Sequence, residues 1–462
     1  MPALHFVVLA AGKGTRMKSR VPKVLHQVAG RPMIHYVLDV AAALSPASIS
    51  VIVGHEADHV RAALAPWPGL RFASQEPQLG TGHALLQAEP LLRGASGTVV
   101  LLSGDVPLLR PETLRRLVSA HDAAGAAATV LTARVDRPDG YGRIVRDDRA
   151  GGAIVRIVEH RDATAEERRI GEINTGIYAF AVGPLFESLH AIGAGNAQGE
   201  YYLPDLVGIY RGRDLVVATV ETGDVRQVQG INSRSELAEA SAVVRRERCE
   251  ALMAAGVTII DPATTYIDAA VQVGPDTTIH PNVYLEGATR IGERCEIHSG
   301  VRLVDAAVAN RVTILNHCLI VSSTIADDAK VGPFAHVRPE SRILEGAHVG
   351  NFVELKKTTL GPGSKANHLT YLGDATVGTK VNVGAGTITC NYDGEKKHPT
   401  VIEDGAFIGS DTQLIAPVTV GRGAYVAAGS SITSDVPAGS LAIARGKQVN
   451  KEGWVEAKKR KR

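Results

Sequence analysis

The strongest constraint on the fold is a six-residue spacing of aliphatic side chains through the second half of the sequence. The series is Ile267, Val273, Ile279, Leu285, Ile291, Ile297 and Leu303, then Ile325, Val331, Val337, Ile343, Val349 and Leu355, and finally Ile402, Ile408, Leu414, Val420, Val426 and Ile432. A period of six matches neither an α-helix nor a half-buried strand. It is typical of a solenoid whose short parallel strands stack their aliphatic side chains coil upon coil. The pattern therefore predicts a left-handed parallel β-helix of hexapeptide repeats over residues 256–462.

The aliphatic series slips in phase between Leu303 and Ile325, and beyond Leu355 it lapses twice, each time in polar sequence. Counting by six from Leu355 reaches Gly361, Asn367 and Gly373, so we expect the apolar column to lapse until Val377. A solenoid normally keeps its stacking column, so a polar lapse suggests a binding site, with a tolerated loop as the alternative. The second lapse, residues 389–400, predicts a projecting loop.

The first half of the sequence alternates short apolar runs with helical patterns. Residues 5–9, 49–53 and 98–102 resemble buried parallel strands, and residues 32–44 and 83–92 have helical apolar spacing. This alternation predicts a doubly wound, Rossmann-like α/β domain over residues 1–230, with ligands beyond the carboxyl ends of its strands. Residues 231–255 predict a helical linker, with a surface helix of the first domain as the alternative.

Composition excludes several classes of partner. The 50 basic and 48 acidic side chains give a net charge of +2, so no overall field favours nucleic acid or a membrane. No apolar run reaches the ~18 residues needed to cross a bilayer. The first apolar stretch runs directly into Lys13 and Arg16, unlike a signal peptide. The four cysteines lack metal-ligand spacing and are expected to be reduced. We expect a cytoplasmic protein whose basic tail, residues 458–462, is a disordered end.

A loop rich in glycine and small residues follows the first predicted strand. Residues 10–17 supply backbone N–H groups that can close around phosphates, and Lys13, Arg16 and Lys23 add positive charge. The loop departs from the Rossmann fingerprint because Met17 stands where the third glycine belongs, and it lacks the P-loop spacing.

The strand at residues 98–102 also ends in polar sequence, Ser103-Gly104-Asp105. A lone Asp after a strand is most often a turn residue, but a carboxylate at this edge can also hold a divalent cation. A phosphate loop and a metal carboxylate on neighbouring strand ends together predict a nucleotidyl-transfer site.

Further motifs follow in the order of one enzyme family. They are Leu9-Ala-Ala-Gly-Lys-Gly-Thr-Arg-Met17, Pro22-Lys23, Gln75, Leu79-Gly-Thr-Gly-His83, Gly104-Asp-Val-Pro107, Gly140-Tyr-Gly-Arg143, Glu159-His160, Glu172-Ile-Asn-Thr-Gly176 and Gly230-Ile-Asn232. Together with the hexad solenoid, they resemble the bacterial bifunctional N-acetylglucosamine-1-phosphate uridylyltransferase/glucosamine-1-phosphate acetyltransferases over essentially the whole chain.

The resemblance implies a set of contacts for UTP and UDP-N-acetylglucosamine in the first half. These residues are Leu9, Ala10, Ala11, Gly12, Arg16, Lys23, Gln75, Gly80, Thr81, Ser103, Gly104, Asp105, Gly140, Glu159, Asn174 and Asn232. Within that set, Gln75, Gly80 and Thr81 are expected to read the uracil, and Gly140, Glu159 and Asn174 to hold the N-acetylglucosamine. Asp105 and Asn232 are expected to hold Mg²⁺, and Ser103 has no specific role.

The resemblance also implies an acetyl-transfer site in the solenoid. The motif His368-Leu-Thr-Tyr371 makes His368 the expected general base, because imidazole, with a free pKa near ~6.5, suits removal of a proton from an amine. Arg338 and Lys356 are expected to bind the phosphate of glucosamine-1-phosphate, with Tyr371 and Asn382 completing the pocket. The acetyl-CoA contacts carried over are Ala385, Asn391, Tyr392, Ser410, Ala428 and Arg445. Family members are homotrimers with this site between solenoids, so we expect the same here.

The implied function is a two-step enzyme of UDP-N-acetylglucosamine synthesis. The second half acetylates glucosamine-1-phosphate, and the first half joins the product to UTP without a covalent enzyme intermediate. One alternative is a single-activity uridylyltransferase with the solenoid as a trimerising scaffold. A glucose- or mannose-phosphate transferase is weakened by Glu159 and by the acetyltransferase motif.

Overall fold

The computed structural model describes residues 2–147 and 152–461, and the chain divides into two compact units between Val244 and Arg245. The strands of the first unit are β1 (Leu4–Ala10), β2 (Gln27–Val28), β3 (Arg31–Pro32), β4 (Ser48–Val53), β5 (Leu70–Ser74), β6 (Thr98–Ser103), β7 (Ala128–Arg134), β8 (Gly142–Asp147), β9 (Ala153–Val158), β10 (Glu172–Ala181) and β11 (Val217–Glu221). Its helices are α1 (Met33–Ala42), α2 (Ala57–Leu64), α3 (Thr81–Leu86), α4 (Pro111–Ala124), α5 (Val182–His190) and α6 (Leu206–Gly212). Helix α7 (Arg234–Ala254) contains the division.

The first unit is a doubly wound α/β domain, as predicted. Its main sheet has the strand order β11-β7-β10-β6-β1-β4-β5. Strands β1, β4, β5 and β6 run parallel, and Leu9 near the end of β1 pairs with Ser103 at the end of β6. The loops after these two strands therefore start side by side, where ligands of such sheets bind. Strand β10 runs antiparallel between β6 and β7, which the sequence pattern did not indicate.

The single helix predicted at residues 83–92 is two separate elements in the structure. Helix α3 ends at Leu86, and a 3₁₀ turn covers Glu89–Leu92. Pro90, in the second position of this turn, has no N–H with which to continue an α-helix.

The second unit is the predicted left-handed parallel β-helix. Within the described residues, three parallel sheets form its sides, and each strand pairs with the strand one coil further along. Sheet A contains Thr258–Ile259, Thr278–Ile279, Glu296–Ile297, Thr313–Ile314, Lys330–Val331, His348–Asn351, Lys365–His368, Asn382–Val383, Phe407–Ile408, Tyr425–Val426 and Leu441–Ala442. Sheet B contains Tyr266–Ile267, Tyr284–Glu286, Arg302–Val304, Leu319–Val321, His336–Val337, Glu354–Lys356, Tyr371–Gly373, Ile388–Cys390, Gln413–Ile415 and Ser431–Ile432. Sheet C contains Gln272–Val273, Arg290–Ile291, Ala307–Val308, Thr324–Ile325, Arg342–Ile343, Thr359–Leu360, Ala375–Val377, Thr400–Ile402 and Val418–Val420.

The expected lapse of the apolar column between Leu355 and Val377 is wrong. Leu360, Ala366 and Leu372 continue the column, and each is fully buried. The side from Leu355 to Leu360 has five residues instead of six, so counting by six moves every later position out of phase. The predicted projecting loop is present at residues 391–399, between Cys390 and Thr400.

The C-terminal tail also differs from the prediction. Helix α8 (Trp454–Lys459) includes Lys458 and Lys459, so these residues are not a disordered end. The Lys458 ammonium lies 4.8 Å from the Trp454 ring centroid, a cation–π contact across one helical turn. None of the helices in the described residues is long and apolar enough to cross a membrane.

Candidate active sites

In the first unit, the loop after β1 and the segment containing Lys23 pack closely together. Gly14 has a φ of 58°, and a Cβ at this position would lie 2.7 Å from the Cβ of Lys23. Any residue larger than glycine would push the two segments apart, so glycine brings Lys23 beneath the phosphate loop.

Two adjoining cavities lie at the carboxyl edge of the sheet. The larger, of about 590 Å³, is lined by the predicted residues Leu9, Ala10, Ala11, Gly12, Lys23, Gln75, Gly80, Thr81, Ser103 and Asp105. The smaller, of about 210 Å³, is lined by Gly140, Glu159 and Asn174 and shares Leu9, Thr81 and Ser103 with the first. The shared wall makes them two parts of one site, with room for a nucleotide beside a sugar.

Three predicted residues, Arg16, Gly104 and Asn232, lie outside these linings. Gly104 is buried behind the edge, with its N–H donating to Leu9 O at 2.9 Å. The side chain of Arg16 is exposed.

Lys23 joins the two predicted metal ligands. Its ammonium donates to Asp105 Oδ2 and, at 3.0 Å, to Asn232 Oδ1. The Ile231 N–H donates to Asp105 O at 2.9 Å, which holds the segment before Asn232 against the end of β6. A carboxylate and an amide oxygen that already share one cationic group fit Mg²⁺, which prefers oxygen ligands.

A capping box at the start of α7 positions Asn232. Glu236 Oε2 accepts from the N–H groups of Asn232 at 2.6 Å and Ser233 at 2.8 Å, and Ser233 Oγ accepts from Glu236 N at 3.2 Å. The sequence interpretation missed Glu236, although Ser-x-x-Glu at the start of a predicted helix is a recognisable signal.

The loop around Gly80 is held by a segment that the motifs did not indicate. Gly80 has a φ of 105°, and a Cβ there would lie 2.8 Å from Tyr201 O. Tyr201 N donates to Leu79 O, and Gly82 N donates to Tyr201 O, each at 2.8 Å. Gln75 Nε2 donates to Gly80 O at 2.9 Å, which fixes the amide against this loop.

In the smaller cavity, the carboxylate of Glu159 is buried and lies near other carboxylates. Burial raises the pKa of Glu159, and the nearby carboxylates of Asp162 and Asp205 raise it further. Asn174 lies where β10 departs from regular pairing, and its Oδ1 accepts from Gly176 N at 3.1 Å and Tyr178 OH at 2.9 Å. These bonds orient the Asn174 amide, whose Nδ2 group can donate to a ligand.

In the second unit, a cationic cluster lies on the outer face of sheet B. Arg338, Lys356 and Gly373 occupy equivalent positions on successive coils. Arg338 Nη1 donates to Glu354 Oε1 at 2.9 Å, and Lys356 Nζ donates to Asp374 Oδ2 at 2.9 Å. The arrangement puts two cations about one rung apart, roughly 4.8 Å along the solenoid.

Asp374 and Lys397 complete this cluster and were missed in the sequence. Asn391 Nδ2 donates to Asp374 Oδ2 at 2.5 Å, so Asn391 lies with the predicted phosphate ligand Lys356. A hydrogen bond with Lys356 and the repulsion of its charge lower the pKa of Lys397. Two lysine amino groups this close make a site for a phosphate, because the anion would offset the repulsion between their charged forms.

Gly373 leaves room for the predicted pocket residues. A Cβ there would meet the hydroxyl of Tyr371 and Nδ2 of Asn391. Any larger residue would displace one of them.

His368 is exposed at the end of its strand in sheet A. Its Nδ1 lies 2.8 Å from Asn351 Oδ1, the atom at the equivalent position one coil earlier. An amide oxygen only accepts hydrogen bonds, so Nδ1 carries a proton, and in the neutral ring the lone pair is then on Nε2. This tautomer is the one a general base requires.

Small residues follow His368 along the solenoid. Continuing the strand register by two residues places Ala385, Ser410 and Ala428 at the position of His368 on the next three coils. Arg445 Nη1 donates to Ala428 O at 2.6 Å, and Tyr392 is exposed in the projecting loop. Asn382 lies on the outer face of the same sheet. This row of small side chains, called the track below, leads along the solenoid to His368.

Comparison with known proteins covers both units. A family model described as the MobA-like NTP transferase domain matches residues 6–203, one for the GMPPB C-terminal domain matches residues 262–341, and one for the bacterial transferase hexapeptide repeats matches residues 399–434. The bifunctional protein GlmU of Trichlorobacter lovleyi is 51% identical over 98% of each chain. The chain belongs to the bifunctional GlmU family.

Other GlmU proteins agree along the whole length. Those of Shouchella clausii and Geotalea uraniireducens are each 49% identical, over 97% and 99% of this chain and 98% and 100% of theirs. Membership confirms the predicted two-activity enzyme, a nucleotidyltransferase and an acyltransferase of UDP-N-acetylglucosamine synthesis. The predicted use of Mg²⁺ and acetyl-CoA is confirmed with it.

Proposed function

We propose that the cavities of residues 2–244 carry out uridylyl transfer and that the solenoid, residues 245–461, carries out acetyl transfer. The observation that carries this assignment is the shared contact of Lys23 with Asp105 and Asn232 beneath the phosphate loop. The cluster of Arg338, Lys356 and Lys397 supports the second half of the assignment.

In the first site, a phosphate oxygen of N-acetylglucosamine-1-phosphate attacks the α-phosphorus of UTP, and the bond to pyrophosphate breaks. Both reactants are anions, so the site must offset their repulsion. Asp105 and Asn232 would hold Mg²⁺, which neutralises charge on the phosphates. Lys23 and the N–H groups of the loop bind the phosphate oxygens, and no protein nucleophile takes part.

Glu159 and Asn174 orient the sugar in the smaller cavity. A carboxylate accepts hydrogen bonds from sugar hydroxyls, and the Asn174 Nδ2 group donates to an oxygen. Gln75, held by Gly80, reads the uracil edge. Because the two cavities share a wall, the attacking phosphate comes next to the UTP phosphates.

In the second site, His368 Nε2 removes a proton from the amine of glucosamine-1-phosphate. The amine nitrogen then attacks the thioester carbonyl of acetyl-CoA, an amide bond forms, and the coenzyme A thiolate leaves and takes up a proton. Asn351 keeps the Nδ1 proton in place throughout. Arg338, Lys356 and Lys397 bind the substrate phosphate, and the track of Ala385, Ser410 and Ala428 holds the pantetheine arm.

A scaffold role for the solenoid is the competing hypothesis. A bare scaffold needs neither the cationic cluster nor a histidine held in one tautomer. A coupled assay with glucosamine-1-phosphate, acetyl-CoA, UTP and Mg²⁺ separates the two. Omission of acetyl-CoA should stop UDP-N-acetylglucosamine formation from glucosamine-1-phosphate but not from N-acetylglucosamine-1-phosphate. A bare scaffold predicts no UDP-N-acetylglucosamine from glucosamine-1-phosphate even when acetyl-CoA is present, and that result would contradict the proposal.

Loss of Glu236 is expected to weaken Mg²⁺ binding without destroying the first site. Glu236→Ala frees the backbone of Asn232, and loss of such a supporting contact typically costs about 10–100-fold in metal affinity. The Mg²⁺ concentration for half-maximal uridylyl transfer should rise at least about tenfold. Glu239→Ala, exposed on the same helix, is the matched control. A lower rate at saturating Mg²⁺ with an unchanged Mg²⁺ dependence would contradict the role of Glu236.

Glu159→Gln is expected to stabilise the first unit and weaken sugar binding. The pKa of Glu159 is raised by burial, so the folded protein binds its proton more tightly than the unfolded chain. Stability is therefore lost as pH rises from about 4.3 through the raised pKa, and glutamine removes this loss. The melting temperature at neutral pH should rise by about 2–4 °C, with no gain near pH 4. The KM for N-acetylglucosamine-1-phosphate should rise about tenfold.

We also propose that the enzyme is a homotrimer and acts in the cytoplasm, where UTP and acetyl-CoA are available. Phe334, Phe352 and Leu369 form an exposed corner column and have φ values of 54°, 58° and 46°. Many corners of this solenoid have positive φ, so the distinguishing feature of these three is that large apolar side chains are exposed in one column. Phe334 stacks on Phe352, and contact with another copy would bury the column beside His368.

The expected effect of Phe352→Ser is loss of the trimer. Light scattering should give the mass of one 48.7 kDa chain instead of three, with acetyl transfer lost and uridylyl transfer kept. A wild-type protein that elutes as a monomer with full acetyl transfer would contradict the trimer.

A further inference from the structure

Two histidines and a glutamate that belong to neither candidate site form a cluster in the solenoid. These are residue types that bind transition metals. His280, Glu296 and His298 offer three ligand atoms that all lie within 4.8 Å of one another. His280 Nε2 lies 3.3 Å from Glu296 Oε1, and His298 Nε2 lies 3.4 Å from the same oxygen. We propose that these three side chains form a binding site for one Zn²⁺ ion.

The solenoid register brings the three side chains together. Ile279 pairs with Ile297, so His298 lies directly above His280 on the next coil, and the two rings stack with centroids 4.6 Å apart. Glu296 and His298 flank the inward-pointing Ile297 on one strand, so both point outward. The regular backbone of two coils therefore fixes the ligands.

The distances fit zinc. Bonds of about 2.0 Å from zinc to nitrogen and oxygen place tetrahedral ligands about 3.3 Å apart. The separations from Glu296 are 3.3 and 3.4 Å, and the two histidine nitrogens, which lie within 4.8 Å of one another, would move closer by rotation of the rings. Imidazole nitrogen favours Zn²⁺ over Mg²⁺, so this site differs in kind from the oxygen pair of Asp105 and Asn232.

The surroundings favour a cation. Among residues 2–147 and 152–461, Glu296 forms ion pairs with these two histidines and with no lysine or arginine. Ile260 and Leu315 occupy the row on either side of the histidines and add no charge there. The exposed fractions are 27% and 23% for the histidine side chains and 49% for Glu296, so water can take the fourth position from the outside. Bound zinc would join two adjacent coils.

The test uses the full-length enzyme without a polyhistidine tag, stripped with EDTA. Zinc chloride is titrated by calorimetry in saturating Mg²⁺, which keeps the Asp105 site filled. One zinc per chain is expected. His280→Ala and His298→Ala should each lower the affinity at least about a hundredfold, because loss of a ligand costs more than loss of a supporting contact. His190→Ala is the matched control, since His190 pairs with one carboxylate, that of Glu89, at 3.1 Å.

Two readouts keep the outcome clear if a variant folds poorly. Zinc should raise the melting temperature of the wild-type solenoid and leave that of the His280→Ala/His298→Ala variant unchanged. Anomalous scattering at the zinc edge should give a peak between the two rings. The proposal is overturned if the double variant, with normal acetyl transfer, binds zinc as tightly as the wild type, or if the peak lies elsewhere.

Discussion

Replacement of Asp105 by asparagine is expected to reduce uridylyl transfer at least about a thousandfold, because it removes the one negative charge in the proposed Mg²⁺ site. The Lys23 ammonium now neutralises this carboxylate. With asparagine, neither Lys23 nor Mg²⁺ has a carboxylate to hold it at the phosphates. Formation of UDP-N-acetylglucosamine from UTP and N-acetylglucosamine-1-phosphate measures the effect.

Acetyl transfer in the same variant is the internal control and should stay at the wild-type level. Asp58→Asn, at a fully exposed aspartate of the first unit, should change neither activity. If Asp105→Asn kept more than a tenth of the uridylyl activity, Asp105 would not be the metal ligand.

Replacement of His368 by glutamine is expected to lower acetyl transfer by about 10²–10⁴-fold, the usual contribution of a general base. Glutamine has a similar reach but cannot take up a proton. Free coenzyme A, measured with a thiol reagent, follows the reaction directly. Uridylyl transfer should not change, because His368 belongs to the solenoid.

A second variant separates the base from its support. Asn351→Ala leaves His368 in place but removes the partner of Nδ1, so a smaller loss of about tenfold is expected. His59→Gln, at an exposed histidine of the first unit, should have no effect. If Asn351→Ala lost as much activity as His368→Gln, the amide would do more than hold the proton on Nδ1.

The architecture could be predicted from the sequence because both units repeat one simple pattern. Aliphatic spacing of six gave the solenoid, and alternating apolar runs gave the α/β sheet. The prediction of a gap in the apolar column was wrong because one side of the solenoid, Leu355 to Leu360, has five residues instead of six. Counting by six therefore missed the buried positions that follow. The antiparallel direction of β10 could not be predicted either, since the apolar pattern of a buried strand does not indicate its direction in the sheet.

The candidate site residues could be predicted because they belong to recognisable motifs. The residues that hold them in position were not predicted. Asn351 and Asp374 belong to no recognised motif. Each contacts a site residue on a neighbouring coil, and the sequence alone does not show which residues lie side by side on successive coils. Glu236 could have been found from its capping box. Tyr201 could not, because its backbone contact with the Gly80 loop joins segments about 120 residues apart.

A mixing experiment tests the central claim that two independent sites on one chain pass a phosphorylated amino sugar from one to the other. Asp105→Asn and His368→Gln proteins are each supplied with glucosamine-1-phosphate, acetyl-CoA, UTP and Mg²⁺, alone and together. Neither alone should form UDP-N-acetylglucosamine, and the mixture should restore it through released N-acetylglucosamine-1-phosphate. A mixture as inactive as its components, despite normal single activities in each, would contradict the account.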